Sequence, residues 1–131
     1  MPVHPDLLAA AAADDFGAIA MVVGWGFGTH RGGSAVPGMW SIGAGIRLMQ
    51  RAAPGVLATD LAACNAWRNG GSVRCPTTLI LGAGDRMTPA KAGRALAERI
   101  EGARVGVLPG VGHMMMVEAP DAVTDALAAA I

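Results

Sequence analysis

The sequence predicts an α/β protein in which a helical region, residues 1–70, precedes a β-α-β-α unit with parallel strands, residues 71–131. Short apolar runs at residues 77–81 and Arg104–Leu108 are of the kind found in strands that are covered on both faces. Helical patterns lie between and after these runs, with short connections. Strands that alternate with helices in this way build a parallel sheet.

Composition limits the function before any motif is considered. The 131 residues fit one domain, and 53% hydrophobic against 15% charged residues excludes disorder. Ten basic residues balance ten acidic ones, so no bulk field attracts nucleic acid or an anionic membrane. Three tryptophans and two phenylalanines offer no base-stacking platform. Neither nucleic acid nor a membrane is therefore expected as a partner.

Two short helices are predicted near the N-terminus. Asp6 precedes a Leu-Leu-Ala-Ala run and is the predicted N-cap of the first, because its side-chain oxygen can accept a free amide of the first turn. Asp14 or Asp15 has the same position in the second helix. The glycine-rich stretch 24–28 ends the second helix, and residues 29–38 form a loop.

A third helix is predicted over residues 39–52. Pro54 then opens a fourth helix at its N1 position, where the missing proline amide costs nothing, and this helix runs to about Trp67. Residues 69–72, Asn-Gly-Gly-Ser, form a linker. These four helices make up the helical region.

In the second half, each apolar run is followed by a helix. Thr88 is the predicted N-cap and Pro89 the N1 residue of a helix over residues 90–100. Pro120 opens a last helix over residues 121–131, which has apolar residues on one face. A sheet of two strands would leave a bare edge with apolar faces, which favours association.

The cysteines and the N-terminal segment predict a cytoplasmic protein. Cys64 and Cys75 have no metal or redox spacing and are interpreted as reduced core residues. The N-terminus has no basic region, and acidic residues interrupt its alanine run, so no signal peptide is predicted. The apolar stretch 16–28 is too short and too rich in glycine to span a bilayer.

No cofactor or metal ion is predicted. The Gly24-x-Gly26-x-Gly28 pattern fails as a dinucleotide fingerprint because Thr29 takes the third glycine position and no helix follows. These three glycines are better interpreted as loop residues or as residues that allow close helix packing. His4 and His30 have no partners at ligand spacing.

Asp85 and His113 are the candidate catalytic residues. Each lies in a glycine-containing loop directly after a predicted strand. Functional groups of open α/β sheets gather beyond the carboxyl ends of the strands, so we expect these two side chains to meet. An Asp that holds an imidazole through its ring N–H forms the base-and-orienter part of a nucleophilic triad.

The two loops also carry a family resemblance. Residues 75–89 resemble the segment of α/β-hydrolase-fold enzymes that bears the triad acid, and residues 107–120 resemble the segment that bears the catalytic His. The helical region is similar to a lid inserted before them. The resemblance implies the C-terminal portion of that fold, with Asp85 as acid and His113 as base. It implies hydrolysis of a small ester-like carbonyl compound. Epoxide hydrolysis and dehalogenation are alternative reactions, because such enzymes keep the same Asp and His positions.

The nucleophile of that family is missing. No Gly-x-Ser-x-Gly sequence exists in the chain. Ser34, Ser41 and Ser72 each have only one of the two flanking glycines and follow no predicted strand, although Ser34, Asp85 and His113 occur in triad order. The expectation is a chain that carries only the acid and base and pairs with a missing N-terminal portion. The alternative is a truncated, non-catalytic remnant that associates through its open sheet edge.

Three apolar residues are predicted to bind substrate: Met39, Trp40 and Met114. Met39 and Trp40 open the third helix, whose apolar face would line an acyl-sized pocket in the lid or else form helix core. Met114 follows His113, and packing around the His loop is the alternative there. Glu118 is interpreted as a favourable charge near the N-terminus of the last helix.

Overall fold

The structure, a computed structural model, describes residues 2–28, 38, 40–68 and 72–130. Seven helices and two strands follow one another in these ranges: α1 (Pro5–Ala12), α2 (Phe16–Gly26), α3 (Ser41–Met49), α4 (Val56–Ala66), β1 (Thr78–Gly82), α5 (Ala90–Ala97), β2 (Arg104–Leu108), α6 (Met115–Glu118) and α7 (Pro120–Ala128). This order confirms the predicted α/β class, with helices first and β-α-β-α after them. Whether residues 1–70 act as a separate lid stays a prediction.

The helices of the first half begin at residues that differ in part from those predicted. The N-cap of α1 is His4, whose Nδ1 accepts from the Asp6 amide at 3.3 Å, so the prediction of Asp6 was wrong. Asp15 caps α2 as expected, accepting from the Gly17 amide at 2.9 Å. The third helix is shorter than predicted, and α4 begins after Gly55, whose φ of 80° ends the turn that contains Pro54.

A small apolar core joins these helices. Helix α1 packs against α2 and α4, and α2 packs against α3. Leu7 and Ala11 of α1 meet Ala18 and Val22 of α2, and all four residues are buried. Alanine side chains allow the two helices to approach closely, so α2 holds a fixed position relative to the N-terminal segment. None of the helices in the described part of the chain is long and apolar enough to cross a membrane.

The two strands form a parallel pair. Thr78 lies opposite Arg104 and Gly82 opposite Leu108, so both strands end at the same edge. Helix α5 crosses between them and contacts both. Strand β2 has the predicted bounds, and β1 lies one residue later than the predicted run. The predicted α/β arrangement is therefore confirmed within these ranges.

Two further sequence interpretations were wrong. Pro89 rather than Thr88 has the N-cap position of α5, because the Pro89 backbone is still extended, with ψ at 141°, and the helix begins at Ala90. Cys64 and Cys75 are free thiols, as expected, but both are exposed rather than part of the core. Ser34 and Met39, with most of the predicted 29–38 loop and 69–72 linker, lie outside the described residues.

Candidate functional site

The loops that follow β1 and β2 lie directly against each other. The Ala83 amide donates to the Leu108 carbonyl at 2.9 Å, and the Gly84 amide donates to the Val111 carbonyl at 2.8 Å. A Cβ at Gly82 would lie only 2.6 Å from the Val111 oxygen, so a glycine is required at this approach. These contacts bring the Asp85 and His113 loops together at the carboxyl end of the sheet.

Asp85 has a fully bonded and nearly buried carboxylate. Its Oδ1 accepts from the amides of Met87 and Thr88, each at 2.8 Å. Its Oδ2 lies 2.9 Å from Nδ1 of His113. The Asp85 side chain is 6% exposed, whereas that of His113 is 42% exposed. The carboxylate is thus fixed by the backbone of its own loop, and it holds an imidazole that faces outward.

This geometry determines the protonation pattern of the neutral imidazole. An ionised carboxylate can only accept hydrogen bonds, so Nδ1 of His113 carries the proton and donates it to Asp85. The other ring nitrogen, Nε2, then has a free lone pair. A histidine in this tautomer can take a proton from a nucleophile placed beside it.

The backbone of His113 is anchored to the end of α2. The amides of His113 and Met114 both donate to the Gly26 carbonyl, at 2.7 and 3.0 Å. Gly26 is the last residue of α2, where helix carbonyls lack partners within the helix. The His113 loop therefore satisfies an end of the helical region while it positions the imidazole.

Glu118 forms a second anchor that the sequence interpretation missed. Its carboxylate accepts from the Gly112 amide at 3.0 Å and from the Gly28 amide at 2.8 Å. The sequence predicted only a favourable charge near the last helix and missed both hydrogen bonds. The Gly28 donor lies ninety positions earlier in the chain, where no local pattern points to it. The only signal in the sequence was the Glu-x-Pro that belongs to the His-bearing segment.

A cavity of about 910 Å³ opens beside His113. It is an open cleft bordered by α1, α4, the end of α2 and the Asp85 loop, and most of its lining is apolar, including Val3, Leu7, Trp25, Leu61, Trp67 and Met87. Polar side chains in the lining are His4, Cys64, Arg86, Thr88 and His113. This volume and this mixture are typical of a site for a small organic molecule.

The predicted substrate-binding residues do not line this cavity. Trp40 is 64% exposed and its ring covers Gly43 on α3. The Met114 side chain packs on Gly26 next to Met87. Their assignment to substrate binding stays a prediction, and that of Met39 falls outside the described residues.

Neither of the two serines that the structure describes, Ser41 and Ser72, lies beside His113. Ser41 is buried at the start of α3, and its hydroxyl has no hydrogen-bond partner in the described part of the chain. Ser72 is exposed in the segment before β1, and neither residue lines the cavity. Within the same ranges, no group of three His, Cys, Asp or Glu side chains could hold a metal ion.

Comparison with known sequences gives the family. The model of the alpha/beta hydrolase family matches residues 3–126, nearly the whole chain. The chain belongs to the alpha/beta hydrolase family. Its parallel strands, its helical first half and the loop positions of Asp85 and His113 agree with the C-terminal portion of that fold. No curated protein matches the sequence significantly.

Solved structures of similar fold include two that are described as esterases and one that is described as a lactone-degrading enzyme. A thermophilic esterase matches with a TM-score of 0.79 at 24% identity, over 98% of this chain and 50% of its own. An esterase from Exiguobacterium antarcticum matches with a TM-score of 0.77 at 16% identity, and the match covers 95% of this chain and 45% of the esterase chain. Est816, described as an N-acyl homoserine lactone degrading enzyme, matches with a TM-score of 0.74 at 22% identity, and the match covers 100% of this chain and 52% of the Est816 chain. The chain thus spans about half the length of these structures, and at such identities they establish the fold alone.

Proposed function

We propose that this chain supplies the acid and the base of a hydrolytic triad that cleaves a small ester-like carbonyl substrate. One observation carries the proposal, the 2.9 Å contact between His113 Nδ1 and Asp85 Oδ2. Asp85 is anchored by two amides and nearly buried, whereas His113 faces a cavity suited to a small molecule. This combination of a fixed orienter and an accessible base is what nucleophilic catalysis requires.

In the proposed reaction, His113 first acts as a base. Its Nε2 takes the hydroxyl proton of a nucleophile while the nucleophile oxygen attacks the ester carbonyl. The Asp85 carboxylate stabilises the imidazolium that forms. The same proton then passes to the leaving alcohol as the C–O bond breaks, and an acyl intermediate remains. A water molecule repeats both steps and releases the acid.

The nucleophile and the oxyanion donors come, in this proposal, from a segment that this sequence does not contain. The 131 residues hold no Gly-x-Ser-x-Gly turn, which alpha/beta hydrolases place between a strand and a helix. The half-length match to the esterase structures supports a second half that carries it. The exposed thiols of Cys64 and Cys75 suit the reducing cytoplasm, where we place the reaction.

Ester hydrolysis is preferred over the other reactions of the family. Two of the similar structures are described as esterases and one as a lactone-degrading enzyme, and a lactone is a cyclic ester. Epoxide opening and dehalogenation would use the same Asp and His positions, but none of the three is described in those terms.

A fusion protein tests the proposal. The N-terminal half of an esterase of this fold, which carries the Gly-x-Ser-x-Gly turn and the oxyanion donors, is placed before residue 2, and hydrolysis of p-nitrophenyl acetate is followed. We expect turnover in the fusion, a loss of roughly 10⁴-fold for Asp85→Asn, and little activity of the chain alone. An active fusion that is unaffected by His113→Ala would contradict the proposal. Robust turnover by the chain alone, abolished by Ser34→Ala, would also contradict it.

The second candidate is an association module that acts through β1. In the described sheet β1 pairs only with β2, and four of its five residues are partly exposed instead of buried. Strands of parallel sheets are normally covered on both faces, so this edge fits another strand, either of a second copy or of a hydrolase segment. Light scattering tests this candidate. Concentration-dependent dimers are expected, and a monomer at all concentrations would contradict it.

A further inference from the structure

Two basic side chains, and the backbone of a third basic residue, contact the last turn of α2. The Arg86 guanidinium donates to the Gly24 carbonyl. The His4 ring packs edge-to-face on the ring of the next residue, Trp25, with centroids 5.5 Å apart. The residue after that, Gly26, accepts the backbone amide of His113. Residues 24–26 of α2 thus contact the side chains of Arg86 and His4 and the backbone of His113.

All three of these groups line the 910 Å³ cavity. The described lining residues include no carboxylate, although Oδ2 of the exposed Asp6 lies 3.9 Å from Nδ1 of His4. Asp85 lies close by, but its side chain is 6% exposed, and its oxygens are taken by His113 and by two amides. Arg86 therefore gives the polar part of the cavity a positive charge, His4 and His113 add hydrogen-bonding groups, and the remaining walls are apolar.

Arg86 is the permanent charge of this group. A guanidinium has five N–H donors in a planar fork, and a bond to one carbonyl leaves most of them free. Carboxylates match that fork with two parallel hydrogen bonds. The carbonyl at the helix end also favours a cation at this position, which keeps Arg86 beside the cavity.

We propose that the cavity takes an apolar substrate that also carries a carboxylate, and that Arg86 binds this carboxylate. His4 lies on the same wall and adds a donor. The apolar part of the substrate lies against Trp25, Trp67 and Leu61. Since His113 belongs to the same wall, the ester carbonyl and the carboxylate would approach one side of the cavity. This inference rests on the proposed function for the identity of the site as a substrate site.

Binding measurements test this inference without any need for turnover. Three probes of one shape differ only in charge: 4-phenylbutyrate, 4-phenylbutanamide and 4-phenylbutylammonium. Their affinities are measured on the full chain by calorimetry, with tryptophan fluorescence, to which the cavity residues Trp25 and Trp67 contribute, as a second signal. We expect the acid to bind about tenfold more tightly than the amide, and the ammonium probe to bind most weakly.

Variants at two arginines locate the effect. Arg86→Gln should reduce the preference for the acid to about twofold or less, and Arg86→Lys should keep part of it as a point charge. Arg94→Gln is the matched control, because Arg94 is exposed on α5 and does not line the cavity. If Arg86→Gln does not fold, the preference of the unaltered chain must still decrease as salt is added.

The two thiols locate the probe within the molecule. Both are exposed, but Cys64 lines the cavity and Cys75 does not. At ten times its Kd, 4-phenylbutyrate should slow alkylation of Cys64 by N-ethylmaleimide about tenfold and leave Cys75 unaffected, as mass action requires.

Equal affinity for acid and amide, no binding of any probe, or equal protection of both thiols would overturn the inference. A preference that persists in Arg86→Gln would also overturn it. Ester hydrolysis would stand in each of these cases, since an uncharged ester needs no carboxylate site. Conversely, an inactive fusion protein would leave a measured binding preference intact.

Discussion

Glu118 accepts a 2.8 Å hydrogen bond from the amide of Gly28, ninety positions earlier in the chain. The same carboxylate accepts the Gly112 amide, directly before His113. One side chain therefore joins the exit of α2 to the loop that presents the imidazole. Because both donors are backbone amides in a partly buried place, they have few other acceptors, and the pair of bonds fixes the His113 loop relative to α2.

Replacement of Glu118 should destabilise the protein through these two amides. Glu118→Ala leaves both without an acceptor, and we expect the free energy of unfolding to fall by about 1–3 kcal/mol. Glu118→Gln keeps one acceptor oxygen and should lose less. Urea denaturation measures both changes, with Glu101→Ala, at an exposed turn residue, as the control. Equal stability of the Glu118→Ala and Glu101→Ala variants would contradict this role.

Two glycines near the end of α2 should respond oppositely to alanine. A Cβ at Gly28 would lie 2.7 Å from the Gly112 nitrogen, so Gly28→Ala must separate two backbone segments, at a cost of about 1–3 kcal/mol. At Gly24, nothing lies within 4 Å, and alanine favours the helix by about 0.5–1 kcal/mol. Thermal unfolding compares the two variants. A gain in stability from Gly28→Ala would show that the loops do not approach closely.

Asp15 is expected to stabilise α2 as its N-cap. Its Oδ1 accepts the Gly17 amide at 2.9 Å, so Asp15→Ala should lower the free energy of unfolding by about 1 kcal/mol. Asp15→Asn should change it little, because asparagine caps equally well. Asp125→Ala, at an exposed position of α7, serves as the control in the same denaturation series. A loss in Asp15→Asn as large as that in Asp15→Ala would assign the effect to charge rather than to capping.

The sequence was sufficient for features that depend on neighbours along the chain. The bounds of β2 and the cap at Asp15 follow from local patterns, and the structure agrees with them. The meeting of Asp85 and His113 was also predictable, because parallel strands end at one edge of a sheet. These inferences needed only periodicity, turn residues and one topological rule.

Features that depend on distant contacts were not predictable. Glu118 binds a glycine of another segment, which no local pattern indicates. Cys64 lies on a helix whose apolar residues mark no clear face, so its exposure could not be inferred. The cavity lining, likewise, combines residues from five separate segments.

The central claim is that Asp85 holds His113 as a base with Nε2 free. Nitrogen NMR of the ring measures this directly, because the two nitrogens of a neutral imidazole differ according to which one carries the proton. For the chain in its neutral-imidazole form, we expect a proton on Nδ1 of His113, with this preference lost in Asp85→Asn. A His113 ring protonated on Nε2, or one that does not respond to Asp85→Asn, would contradict it.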